Sequence, residues 1–192
     1  MTRARPTNEL EVKARITNVP ELRRRLRRAG ATVEFTGGMT DRRYDRGRTL
    51  ARVDEVLRVR TYRPNGRGRP HAVLTWKGAA SARSSGRYRH RLELELEVSD
   101  AAGVHAVLTR LGFRVTMAIQ RRIEVYRLGH ATLRLERYPR MDILLEVEGP
   151  PSAIERAIAA TGLERERFRS ESLPYFMSAY RRRTGRTARL AR

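Results

Sequence analysis

The stretch NELEVKAR, residues 8 to 15, places Glu9, Glu11 and Lys13 on one parity and Leu10, Val12 and Ala14 on the other. With the two-residue period of a strand, two carboxylates and an ammonium share one face. Hard cations such as Mg²⁺ take carboxylate oxygens, with water and substrate phosphates completing the shell. Phosphate oxygens take arginine forks and lysine point charges. The chain repeats both kinds of row. Arg58 and Arg60 alternate with Leu57 and Val59, and Arg91, Glu93, Glu95 and Glu97 alternate with Leu92, Leu94, Leu96 and Val98. Arg134 and Glu136 alternate with Leu133 and Leu135, and Glu146 and Glu148 with Leu145 and Val147. Two arrangements satisfy this pattern. One is an open sheet with helices on its apolar face and water on its charged face. The other closes the sheet around the charges, which is costly unless they are paired or hold a metal and a phosphate. Alternation alone leaves both open.

Charge narrows the partners but not the site. The chain has 192 residues and a formal net charge of +21, which favours a polyanion: nucleic acid, polyphosphate, a nucleotide or a membrane surface. Of 42 lysines and arginines only Lys13 and Lys77 are lysine. Surface lysine and arginine are nearly exchangeable, so a lysine that survives such a bias is expected where a compact, titratable ammonium matters. With no cysteine, disulfides and thiolate metal sites are excluded. No apolar run reaches the length of a membrane span and no signal-peptide core opens the chain, so a soluble, cytoplasmic protein is expected.

The elements that must position these rows follow from the same periodicities. Strands are predicted over 8–15, 54–63, 71–78, 88–98, 117–128, 131–137 and 143–149, with a weaker one over 40–45. RPNGRGRP (63–70) reads as a hairpin loop. Helices are predicted over 19–29, capped by Asn18 and stopped by Gly30, and over 100–111. Another starts at a capping-box pattern of Ser152 and Glu155, and a last one covers 172–183. One domain over 7–180 is expected, with mobile basic ends at 1–6 and 181–192. The class is α+β with about eight mostly antiparallel strands.

An ordered series of motifs along the chain resembles that of the CYTH superfamily, the triphosphate tunnel metalloenzymes. Glu9-Leu-Glu11-Val-Lys13 is similar to its ExExK signature, DRRYD (41–45) to its D-x-Y-F-D segment, LRVR (57–60) to its LRxR strand and LTWKG (74–78) to its LTxKG strand. RLELELEVSD (91–100) resembles the central R-x-E-x-E strand, LEVEG (145–149) the closing ExE, and SLPYFM (172–177) a degraded C-terminal S-Y helix. Two departures stand out. Glu136 replaces the family's aspartate ten residues before the closing ExE, and Ile123 stands where a second inward cation is usual, so one phosphate contact is either missing or supplied by Arg122 or Arg134.

The resemblance implies an eight-stranded antiparallel closed β-barrel, a tunnel with flanking helices, that binds a triphosphate and one or two Mg²⁺ or Mn²⁺. Carried over by position, Glu9, Glu11, Glu146 and Glu148 are metal ligands, with Glu136 and Glu95 as helpers. Arg58, Arg60, Lys77, Arg121 and Arg134 grip phosphate. Lys13 is the catalytic candidate, its pKa expected to fall beside cations while Glu9 and Glu11 oppose the fall. The implied activity is metal-dependent hydrolysis of inorganic tripolyphosphate, thiamine triphosphate or a nucleoside triphosphate. The alternatives are cyclisation of ATP to cyclic AMP, and non-catalytic binding of polyphosphate or RNA through the tunnel and basic surface. Expected partners are a triphosphate-containing small molecule, with no membrane, on a monomer or homodimer. The four histidines show no ligand spacing, and the arginine run 23–28 reads as a solvated helix face.

Overall fold

A computed structural model of the chain describes residues 6–80 and 87–191. Each alternating segment forms a strand: β1 (Thr7–Ile16), β2 (Thr32–Asp45), β3 (Val56–Pro64), β4 (His71–Lys77), β5 (Arg89–Val98), β6 (Arg114–Leu128), β7 (Ala131–Arg137) and β8 (Ile143–Glu148). They close in the order β1-β5-β4-β3-β2-β6-β7-β8, with every pair antiparallel. The helices are α1 (Val19–Arg28), α2 (Thr49–Arg52), α3 (Ala101–Arg110), α4 (Pro151–Thr161) and α5 (Leu173–Thr184). Among the described residues no helix is long and apolar enough to cross a membrane.

Closure turns the usual barrel inside out. The aliphatic parity of β1, β7 and β8 faces outward, where Val12, Ala14, Leu133, Leu135, Leu145 and Val147 pack under α1 and α4. Leu22 and Leu26 of α1 and Ile154, Ala157 and Ile158 of α4 complete that core at helical spacing. Asn18 caps α1 by accepting the Glu21 N–H at 3.0 Å. On the opposite side Val104 and Leu108 of α3 cover Tyr44, Leu57, Val59 and Leu74. The ionised parity has nowhere left but the interior.

Three differences from expectation have local causes. β2 starts at Thr32, well before the expected 40–45, because glycines hide its alternation. At Gly37 a Cβ would lie 2.2 Å from the Arg63 carbonyl oxygen, so the close approach to β3 requires glycine. The capping box does not form: α4 begins at Pro151 behind Pro150, with no side-chain cap. Glu155 instead accepts from Tyr88 at 2.6 Å and from Arg165 at 3.0 Å. The tail expected to be mobile over 181–192 is docked through residue 190. Its first residues finish α5, Arg140 and Arg189 exchange backbone hydrogen bonds of 3.1 and 2.7 Å, and Leu190 is buried beside Leu173 and Phe176. Of the N-terminal segment 1–6, residues 1–5 lie outside the described residues.

Candidate active site in the tunnel

Inward-facing residues of the strands surround a cavity of about 200 Å³. Nine cations and six carboxylates line it, so the cavity carries an excess of positive charge. The register explains how they meet. β1 pairs with β8 so that Lys13 stands opposite Glu146 and Glu11 opposite Glu148, and β7 sets Arg134 opposite Glu146.

On that wall the carboxylates dominate. Lys13 Nζ lies 2.6 Å from both Glu11 and Glu146. Arg134 donates to Glu146 at 2.6 Å and to Glu148 at 3.1 Å. Lys77 pairs with Glu9, and with Glu93 at 3.2 Å. Oxygens of Glu9, Glu11 and Glu148 lie within 4.8 Å of one another. Burial raises Glu148 well above the ordinary carboxylate range; Arg134 opposes the rise and Glu146 adds to it. Burial also acts on Glu146, but Lys13 and Arg134 overrule it and hold this group well below that range. Three carboxylates this close, one of them pushed toward its neutral form chiefly by burial, suit a hard divalent cation. The residues present therefore fit the metal group that the motifs imply.

The expected fall in the Lys13 pKa is not what the structure shows. Burial alone would lower it, but Glu11 and Glu146 outweigh burial and raise it. The sequence weighed cations against Glu9 and Glu11 around Lys13; the register adds Glu146 and leaves the ammonium between two carboxylates.

On the other wall cations dominate. Asp41 is fully buried. It accepts from Arg60 at 2.7 and 3.1 Å and from Arg121 at 3.0 Å, with Arg58 at 3.9 Å. Burial would raise the Asp41 pKa, but Arg121, Arg60 and Arg58 hold it well below its usual value. Arg121 also lies 2.9 Å from Glu136, which accepts the Tyr138 hydroxyl at 2.5 Å. Arg43 lines the same cavity, and its enclosed Nε has no hydrogen-bond partner. Burial, with Arg58 beside it, pushes this guanidinium down to about 10 against the pull of Asp41.

With this geometry in hand, comparison with known proteins is decisive. The CYTH domain family model matches residues 7–162. The chain belongs to the CYTH family. The PH1012 protein of Pyrococcus horikoshii OT3 is 24% identical with a TM-score of 0.69, covering 88% of this chain and 98% of its own. A putative adenylate cyclase from Vibrio parahaemolyticus is 18% identical with a TM-score of 0.73, over 88% and 97%. HpAC1 from Hippeastrum, described as a putative adenylyl cyclase with a dominant triphosphatase activity, is 18% identical with a TM-score of 0.57, over 95% and 98%. No curated protein matches.

In this CYTH tunnel most of the expected site residues converge. Glu9, Glu11 and Glu148 form the carboxylate cluster, while Glu146 and Glu136 are inside but taken up by cations. The side chain of Glu95 is 50% exposed at the rim, accepting from Thr75 at 3.0 Å. Arg58, Arg60, Lys77, Arg121 and Arg134 all line the cavity. Ile123 is buried on the inward parity opposite Glu136. Of its two suggested substitutes, Arg134 faces inward and Arg122 is exposed outside. Sequence reasoning missed Asp41, Arg43, Arg91, Glu93 and Tyr138. Asp41 opens the DRRYD match and Glu93 sits in the alternating row, so both had a visible signal. Of the histidines, His105 bonds Tyr44 at 3.0 Å and His71 stacks on Tyr62.

Proposed function

We propose that this chain hydrolyses a phosphoanhydride bond of a triphosphate, with Mg²⁺ or Mn²⁺ held by Glu9, Glu11 and Glu148. The observation that carries the reading is the opposition inside one closed barrel of a carboxylate cluster and a surplus of cations. A bound divalent ion supplies charge neutralisation of the phosphate oxygens and a polarised water. The chain's own residues do the rest. Arg58, Arg60, Arg121 and Arg134 hold the phosphate chain in line, and the closed wall excludes bulk water. Water adds to a phosphorus, the bridging P–O bond breaks, and positioning plus electrostatics supplies the acceleration.

Lys13 is retained as the catalytic candidate in a changed role. An ammonium has three donors. Two carboxylates occupy it, and the remaining N–H can meet a phosphoryl oxygen as negative charge develops there. Its raised pKa suits a fixed cation and not a base.

Hydrolysis is favoured over cyclisation by what the cavity lacks. Its volume of about 200 Å³ is below the roughly 300–1,000 Å³ typical of sites that enclose drug-sized organic ligands. Among the described residues the one aromatic ring in its lining, Tyr138, is held by Glu136. The test is incubation of the purified protein with tripolyphosphate, thiamine triphosphate and ATP under Mg²⁺ and under Mn²⁺, with product identification. Orthophosphate release that stops in EDTA is expected. Cyclic AMP from ATP would establish the cyclase instead, binding without product a non-catalytic tunnel, and full turnover in EDTA would remove the metal.

A further inference from the structure

We propose that Arg43 and the N-terminus of α5 form an anion subsite at the capped end of the tunnel, which takes the unsubstituted terminal phosphate of the substrate. The proposal rests on the phosphate reading of the tunnel given above and adds a residue and an orientation to it.

Arg43 stands apart from the other tunnel arginines. Arg58, Arg60, Arg121 and Arg134 each face a carboxylate within 4.0 Å, whereas Arg43 has no ion pair among the described residues. The residue as a whole is half-buried, but its guanidinium is enclosed. Its Nε lacks a hydrogen-bond partner, as do those of Arg58, Arg91 and Arg121, and what sets Arg43 apart is the missing carboxylate. A buried cation without a counter-charge is destabilising.

A second feature points into the same space. Ser172, the N-cap of the twelve-residue helix α5, makes no side-chain capping bond, and Ser172, Leu173 and Pro174 all line the cavity with Arg43. In the first turn of α5 Pro174 has no N–H and Tyr175 donates to the Ser172 carbonyl at 3.0 Å. The Leu173 N–H and the positive end of the helix dipole are therefore what this terminus offers an anion beside Arg43. The two features lie at one end: Met117, paired with Arg43 across β2 and β6, packs with Leu173 and Phe176. Those side chains, with Ile119, Leu144 and Leu190, make an apolar cap. A terminal phosphate, compact and carrying the most charge of the chain, matches the unpaired guanidinium there better than an organic substituent.

Tripolyphosphate affinity measured calorimetrically in metal-free buffer, where turnover is absent, tests this directly. Arg43→Met is expected to weaken binding about 10- to 100-fold, the range of a charge-assisted contact. Its melting temperature should be unchanged or higher, because the unpaired buried charge is gone. Ser172→Asp should act alike, its carboxylate capping α5 while competing for Arg43. Arg122→Gln, outside the barrel, should leave affinity unchanged. Wild-type affinity in both Arg43→Met and Ser172→Asp overturns the subsite and leaves the tunnel reading standing. A loss of binding that tracks a lower melting temperature makes Arg43 structural and also overturns it. If wild type itself binds no tripolyphosphate, the phosphate reading fails and takes the subsite with it.

Discussion

The two walls of the tunnel solve the burial of charge in opposite ways. On β1, β7 and β8, Lys13 and Arg134 are shared among Glu11, Glu146 and Glu148, so carboxylate is in surplus. On β2, β3 and β6, Asp41 is shared among Arg58, Arg60 and Arg121, so cation is in surplus. Neither wall is neutral by itself, and each surplus has the sign of a different ligand. The carboxylate wall gains by taking a divalent cation and the arginine wall by taking phosphate. A metal–triphosphate complex, the ligand proposed above, carries both charges on its two sides and would compensate buried ions that pairing alone does not stabilise.

The sharpest break in this comparison comes from the carboxylate that holds the arginine wall together. Asp41→Ala leaves three guanidiniums facing one another without their common partner. Removing one member of a buried ion network costs about 3–5 kcal/mol, and that loss should appear in urea or thermal unfolding of the metal-free protein. The loss should shrink when tripolyphosphate is added, since the ligand replaces the missing charge. A melting curve like that of wild type would mean that Asp41 does not organise the wall.

Lys13→Arg probes the carboxylate wall at its tightest point. Lys13 sits 2.6 Å from two carboxylates, and a planar fork cannot occupy that position with the same third donor aimed at substrate. Loss of one preorganised donor typically lowers kcat by about 10²–10³. Steady-state kinetics should show that loss with KM changed much less. Equal kcat and KM in the variant would reduce Lys13 to an ordinary cation of the wall.

The carboxylate wall was the more legible in the sequence. β1 and β8 alternate without interruption, and period two is enough to put Glu9, Glu11, Glu146 and Glu148 on one face. The arginine wall depends on β2, where Thr36, Gly37 and Gly38 break the pattern, so Asp41 and Arg43 were seen as a motif fragment and not as an inner face. Register was invisible throughout. The direction of the Lys13 pKa turns on Glu146 standing opposite it, a pairing between residues far apart in the chain. Glu95 has the parity of Glu93, yet it lies two residues farther toward the rim and its side chain is half exposed. Parity chooses the face, and register decides how deep on that face a side chain lies.

The mildest effect is the most specific to the difference between the walls, because it predicts opposite pH linkage for their two key carboxylates. Asp41 has a folded pKa well below its unfolded value, so its contribution is present above about pH 4 and is lost only as pH falls toward the folded value. Glu148 has a folded pKa raised well above the unfolded value of about 4.3. Below that unfolded value it is neutral in both states and has no effect. As pH rises through the window up to the folded pKa, the unfolded chain loses the proton first and stability falls. The neutral isostere Glu148→Gln lacks this penalty. In metal-free buffer it should melt higher than wild type at pH 7 to 8, with the gain vanishing toward pH 4. In a chain this size each kcal/mol corresponds to about 2–4 °C, and a shift of that order is expected. Saturating Mg²⁺ or Mn²⁺ should reverse the ranking, since wild type binds the ion with one more carboxylate and is stabilised by mass action. A melting difference that ignores both pH and metal would place Glu148 outside the metal-binding cluster.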